Sequence, residues 1–135
     1  MFEPAMEKID KTDEEWRAEL TPQRYDILRK KGTEAPFAGE YVNCHDDGVY
    51  CCAGCGNQLF SSDTKFESGS GWPSFTDAIE QGNVELHQDL SHMMIRTEVR
   101  CIKCGGHLGH VFEDGPGPTG LRYCINSAAI DLDRR

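Results

Sequence analysis

Two short runs, CAGCG at residues 52–56 and CIKCG at 101–105, repeat one pattern: two cysteines three positions apart, followed by glycine. Thiolates at that spacing grip one ion while the glycine lets the backbone turn sharply. The two knuckles therefore offer Cys52, Cys55, Cys101 and Cys104 as the four sulfurs of a closed tetrahedral site. A closed site leaves no position for a substrate, so its ion would be structural, and a single zinc suits it, although iron fits the same four sulfurs. Residues 56–100 separate the knuckles, well beyond the roughly 15–20 residues of a simple zinc ribbon, so that segment must leave the site and return, carrying part of the domain. Two redox-active pairs are the competing reading, but a redox C-x-x-C is expected once, near a helix start. Cys51, next to Cys52, would widen the step between ligands and does not fit the knuckle.

Removing those four leaves Cys44, Cys51 and Cys124. Cys124 lies in LRYCINSA, residues 121–128, a run with the character of a strand. Alternation would put Arg122, Cys124 and Asn126 on one side and Leu121, Tyr123 and Ile125 on the other. A guanidinium beside the thiol favours the thiolate and would lower a pKa that ordinarily lies near 8.5. A lone cysteine in an apolar strand is also a common small buried hydrophobe. His107 and His110 in GGHLGHVFEDG follow the second knuckle directly, so a metal knot would anchor them. Alone, that pair suits either a metal site or two satisfied surface histidines.

The elements that must position these groups are of two kinds. Thr12, Asp13, Glu14 and Glu15 form a capping box, and Trp16 and Leu20 share a face, which predicts a short helix over 13–20. Thr21 and Pro22 start a second helix with Tyr25 and Leu28 on its apolar side and Gly32 just past its end. From Phe37 onward, short runs such as GVYCC, VELHQD, MMIRTEVRC, LGHVF and LRYCINSA alternate with Gly, Asp, Asn and Ser punctuation, the texture of antiparallel strands and loops. The run EDGPGPTGL reads as an irregular connection beside a site.

Composition narrows the function. With 135 residues, 38% apolar and 27% charged, the chain suits one domain, expected over 12–135 after a flexible terminus at 1–11. A formal charge of −9 argues against nucleic acid or an anionic membrane as partner. No apolar run approaches the roughly 20 residues of a membrane span, and the acidic start lacks the features of a signal peptide, so a cytoplasmic protein is expected, with a monomer as the default state. Seven cysteines leave at least one thiol without an intramolecular disulfide partner, which weakens any pure disulfide scaffold.

SGSGWPSF at 68–75, GGHLGHVFEDGP at 105–116, LRYCINSA at 121–128 and the two knuckles resemble, in this order, the B-type methionine sulfoxide reductases, a likeness running from about Leu20 to the C-terminal end. That resemblance implies a mainly β, β-tent-like fold of two antiparallel sheets with short N-terminal helices and structural zinc. It implies an oxidoreductase that repairs oxidative damage by reducing methionine-R-sulfoxide, protein-bound or free. Cys124 matches the family's nucleophile, which takes the oxygen as a sulfenic acid and is recycled by thioredoxin. Arg122, Asn126, His107, His110 and Asp114 match polar positions around it, and Trp72 matches the ring that receives the substrate methyl.

Physical reasoning assigns roles. Sulfoxide oxygen leaves poorly until protonated, so an acid is needed, and His110 is the candidate with His107 beside it. Arg122 would favour the thiolate, Asn126 would hold its neighbours, and Asp114 would orient a histidine or Arg122. Trp72 offers a flat apolar wall to a methyl group, with Phe112 and His92 as further candidates for the pocket lining. The chain departs from many members in having Ser70 where a resolving cysteine stands two residues before the tryptophan. Direct attack by thioredoxin would replace that step, or Cys44, in the turn-like and so exposed NCHDDG, would resolve it, with Cys51 a second choice. The alternatives in other classes are a zinc-ribbon-like binding module without chemistry, indifferent to Cys124, and an enzyme whose zinc is itself catalytic.

Overall fold

The structure, a computed structural model, describes residues 9–79 and 83–134. Of the terminal segment expected at 1–11, residues 1–8 lie outside the described residues, and the remainder is already engaged: the Ile9 amide donates to the Lys103 carbonyl at 2.7 Å. Helix α1 (Asp13–Glu19) begins with the expected capping box, in which the Glu15 amide donates to Thr12 Oγ1 at 3.2 Å and the Thr12 amide to Glu15 Oε1 at 3.0 Å. Helix α2 (Pro22–Lys30) is capped by the Thr21 hydroxyl and opens on its proline. It ends one residue earlier than expected: Lys31, not Gly32, takes the left-handed cap at φ 58°.

The two helices roof the knuckles. Trp16, Ile27 and Leu28 are buried. Leu28 packs on Gly106 beside Cys104, and Trp16 packs on Gly54 beside Cys52. Arg29 covers the Trp16 ring at 4.8 Å while its Nη1 donates to the Cys104 carbonyl at 2.9 Å. A bidentate pair, Arg24 to Asp131 at 2.6 and 3.0 Å, ties α2 to the last strand.

Among the described residues nine strands follow: β1 (Gly48–Cys52), β2 (Gln58–Ser61), β3 (Lys65–Phe66), β4 (Ser74–Phe75), β5 (Val84–Asp89), β6 (Arg96–Cys101), β7 (His107–Phe112), β8 (Arg122–Ile125) and β9 (Ile130–Arg134). They form two antiparallel sheets, one ordered β2-β1-β9 and the other β3-β4-β8-β7-β6-β5. Residues 56–100, between the knuckles, contribute β2 to β6 and so supply both sheets. The run MMIRTEVRC becomes strand only from Arg96, because Met93 (φ 58°) closes a turn that leaves Met93 and Ile95 exposed.

An aromatic stack joins the sheets. Phe60 of β2 lies on Phe75 of β4 at 4.6 Å between ring centroids, and Tyr50 of β1 meets Phe75 edge-on at 5.2 Å. Each such pair adds about 0.5–1.5 kcal/mol beyond the apolar area it buries. In β1 the inward residues are Gly48, Tyr50 and Cys52, so alternation turns Cys51 to the opposite face, away from the knuckle sulfurs. Among the described residues no helix is long and apolar enough to cross a membrane.

Candidate active site

The four knuckle sulfurs converge: all lie within 4.8 Å of one another, with Cys52 to Cys104 and Cys55 to Cys101 each at 3.6 Å. A tetrahedral ion about 2.3 Å from each sulfur sets edges of about 3.8 Å, so the cluster has the size such an ion requires. Backbone amides of Gly54 and Gly106 point at Cys52 and Cys104, both at 3.4 Å, as they would toward thiolates. Gly56 and Gly105 hold φ near +81° and +74°, and each donates its amide back across the knuckle to the carbonyl of Cys52 or Cys101. These four cysteines can hold a metal ion.

A second centre lies along the large sheet's middle strands. In β8, Arg122 and Cys124 are half-buried while Tyr123 and Ile125 are buried, the alternation expected of the run. Cys124 lies directly opposite His110 of β7 and opposite Ser74 of β4; Phe112 lies opposite Arg122. Cys124, His110, Arg122, Phe112, Asn126 and Trp72 all line one cavity of about 220 Å³, joined by Ser70, Thr33, Gly109 and Arg96.

Each wall is fixed. Trp72 donates its indole N–H to the Glu34 carbonyl at 3.0 Å. It follows Gly71, whose φ of +96° brings the loop so close that a Cβ would stand 2.6 Å from Pro36. Buried Asn126 accepts the Glu34 amide at 3.1 Å and donates to the Leu108 carbonyl at 3.1 Å, binding the helix-to-strand connection to β7. Glu34 in turn accepts the amides of Ser127 and Ala128 at 2.8 and 3.0 Å. Arg122 lies over the Phe112 ring at 4.6 Å and forks onto Asp114 at 2.9 and 3.3 Å.

The electrostatics of Cys124 differ from expectation. Burial pushes its thiol above the ordinary range, outweighing the Ser70 hydroxyl 3.9 Å from Sγ and the Arg122 guanidinium, both of which pull it down. Arg122 is already partnered by Asp114, whose own charge opposes the thiolate.

Behind the cavity stand two histidine–carboxylate pairs. His110 Nε2 lies 2.8 Å from Asp89 Oδ2, and His107 Nδ1 lies 2.7 Å from Glu98 Oε2. The hydrogen bond with His110, helped by Ser91, holds the Asp89 carboxyl well below the usual range. Burial raises Glu98, but bonds from Arg100 and His107 overcome it and hold it low as well. Burial pushes His107 below the usual histidine range, against the pull of Glu98, and Nδ1, which faces that carboxylate, is the donor.

Not every expected residue meets Cys124. His107 is buried behind the cavity, its ring 5.4 Å from that of His110. Asp114 touches the cavity only through Arg122. His92 is exposed at φ 56° and lines an adjoining polar depression, with Asp89 and His107, instead of the cavity. Cys44 is half-buried, not exposed, because its turn folds it toward the Tyr50 hydroxyl; it lines a different depression with Lys65 and Glu67. Asp89, Glu98 and Glu34 escaped the sequence reading, since their partners are distant in the chain and a carboxylate in a strand carries no local signal.

A thiol opposite a histidine, under a guanidinium and beside an indole, on a two-sheet scaffold with a cysteine knot, is the architecture of a cysteine-bearing oxidoreductase. The SelR domain family model matches residues 20–134. The peptide methionine sulfoxide reductase MsrB of Bradyrhizobium diazoefficiens is 62% identical over 127 residues, covering 94% of this chain and 91% of that protein. Those of Methanosarcina mazei (59% over 130 residues, 96% and 93%) and Leptospira interrogans (59% over 127 residues, 94% and 97%) are similarly close. The chain belongs to the peptide methionine sulfoxide reductase MsrB family and is an oxidoreductase.

Proposed function

We propose that the protein reduces methionine-R-sulfoxide, protein-bound or free, to methionine, with Cys124 as nucleophile and His110 as proton donor. The observation that carries this is the cross-strand pairing of His110 with Cys124 at the wall of one cavity. The names of the relatives supply the substrate class, and the cavity suits it: Trp72 and Phe112 offer apolar walls to the S-methyl group, while His110 and Arg122 offer donors to the sulfoxide oxygen.

The Cys124 sulfur attacks the sulfoxide sulfur as the oxygen takes a proton from His110. That attack forms a sulfur–sulfur bond; the protonated oxygen then passes to the Cys124 sulfur as this bond and the substrate's sulfur–oxygen bond both break, so methionine leaves reduced by two electrons and Cys124 is oxidised to the sulfenic acid. The thiol proton of Cys124 returns to His110, which balances the step. A thiol raised by burial keeps that proton until substrate arrives. Asp114 orients Arg122, and Asn126 fixes the strand end.

Recycling needs a thiol that the cavity lacks, since Ser70 occupies the position 3.9 Å from the Cys124 sulfur and Cys44 lies elsewhere. Thioredoxin then attacks the sulfenic acid directly: its first thiol forms a mixed disulfide with release of water, and its second breaks that disulfide and frees Cys124. Zinc is the ion proposed for Cys52, Cys55, Cys101 and Cys104, where it would cross-link the scaffold and take no part in turnover. The setting proposed is the reducing cytoplasm, and the unit a monomer whose single domain begins by Thr12.

The test is turnover of separated R and S epimers of a methionine sulfoxide peptide, with dithiothreitol as reductant, by the wild type and by Cys124→Ser. Consumption of R alone, lost in the variant while the metal is retained, is expected. Turnover by Cys124→Ser, or none by metal-loaded wild type, would overturn the reading.

A further inference from the structure

His110 lines two cavities at once: the one that holds Cys124, and the polar depression on its far side that holds Asp89 and His107. Its Nε2 is committed to Asp89 on that far side, at 2.8 Å. The nitrogen left for the Cys124 cavity is Nδ1. An imidazole ring otherwise turns between two orientations and two tautomers, and only one combination places a proton where the sulfoxide oxygen would lie.

Asp89 is built to remove that freedom. It closes β5 opposite Arg96 of β6, and its side chain is almost fully buried. Its Oδ1 accepts the Ser91 amide at 3.0 Å and lies 3.9 Å from the Lys31 ammonium, while the Arg96 guanidinium is 3.5 Å from Oδ2. A carboxylate so surrounded is ionised and immobile, and so accepts the Nε2 hydrogen. If Nε2 keeps its hydrogen and Nδ1 gives one up, His110 donates as an imidazolium, and a part-buried imidazolium needs a fixed counter-charge. Asp89 is the carboxylate paired with the His110 ring, while Glu98, opposite His110 on β6, is paired with His107.

We propose that Asp89 is a positioning residue for the reaction: by binding His110 Nε2 it aims Nδ1 at Cys124 and balances the charge of the ring that donates the proton. Asp89 touches neither substrate nor Cys124. The Lys31 cap at the end of α2 and Arg96 hold Asp89 itself, and so link the helix roof to the site. The inference rests on the reading of His110 as proton donor, and goes beyond it by naming what makes His110 a directed one. The neighbouring Glu98–His107 pair differs in kind, because His107 is shut away from the Cys124 cavity.

The experiment combines ring-nitrogen NMR of histidine-labelled protein with steady-state kinetics on an R-sulfoxide peptide, for the wild type, Asp89→Asn and Asp89→Ala. In the wild type, the ring signals of His110, assigned by their loss in His110→Asn, are expected to show hydrogen fixed on Nε2. In Asp89→Ala they are expected to collapse to a mixture of tautomers, with kcat reduced about 100-fold, the lower end of what a general acid contributes, and KM changed less than about threefold. Formate, a carboxylate small enough for the vacated space, is expected to restore part of that kcat and the Nε2 signature. Asp89→Asn preserves shape and an acceptor but removes the charge; it decides the matter if Asp89→Ala does not fold, and its kcat is expected to fall while its His110 tautomer stays fixed. An unchanged kcat in either folded variant, or wild-type ring signals showing hydrogen on Nδ1 alone, would overturn the proposal. Absence of turnover by the wild type would instead strike the reading of the reaction, leaving the NMR result to judge Asp89 separately.

Discussion

The reactivity of Cys124 is a contest between burial, which keeps the proton on sulfur, and two groups that pull it off, Ser70 and Arg122. Asp114 weakens Arg122 in that contest by neutralising it. Below its pKa the thiolate fraction falls about tenfold for each unit the pKa rises, so the sign of each substitution follows. Arg122→Met raises the Cys124 pKa further and is expected to slow alkylation of Cys124 by iodoacetamide at pH 7 by about threefold to tenfold. Asp114→Asn removes an opposing charge and is expected to speed it by about threefold. Mass spectrometry of the Cys124 peptide against time measures both. Equal rates in all three proteins would show that burial alone sets the thiol. The placement of Arg122, Cys124 and Asn126 on one side was legible in LRYCINSA because strand alternation is local. The direction of the pKa shift was not, since it depends on how deeply the neighbouring strands bury the sulfur.

At the scale of elements, the helices matter less as helices than as a roof. An isolated helix as short as α1 or α2 is marginal in water, and both persist because Trp16, Ile27 and Leu28 are buried, Trp16 and Leu28 against the knuckles. Leu28→Ala leaves a void beside Gly106 and Cys104, and is expected to lower unfolding free energy by about 2–5 kcal/mol, seen as a lower urea midpoint with an unchanged slope. An unperturbed midpoint would mean that the roof is not part of the cooperative unit. The start signals of both helices were readable from Thr12 and Thr21, whose caps are made within one turn. The ends of strands were less so: MMIRTEVRC is apolar and β-prone throughout, yet the hairpin turn needs Met93 at positive φ and takes residues 91–95 out of the strand.

For the whole molecule, the four-cysteine cluster sits where a bound ion would staple the sheets together. Cys52 ends β1 of the smaller sheet and Cys101 ends β6 of the larger, so an ion held by all four sulfurs ties the two layers at one point while the Phe60–Phe75 stack ties them at another. Binding of structural zinc is worth about 10–16 kcal/mol in small metal-folded peptides, comparable with the whole stability of an ordinary domain, about 5–15 kcal/mol. Cys101→Ser is therefore expected to lose its metal and either to unfold or to melt far below the wild type, measured by metal analysis and thermal denaturation on the same sample. A metal-free variant with a wild-type melting temperature would show that the aromatic stack suffices.

The sequence by itself determined what is local or repeated: two knuckles from their spacing, two caps from their hydroxyls, one face of a strand from its alternation, and the family likeness from motifs in order. Tertiary structure alone decided which distant groups face those residues. Asp89 and Glu98 meet their histidines only because β5, β6 and β7 lie side by side, and His92, though near in sequence to Asp89, is turned out by a left-handed backbone. Ion pairing and burial are properties of space, and the chain order that brings Glu34 beneath Asn126 and Ser127 becomes visible only once the sheets have closed.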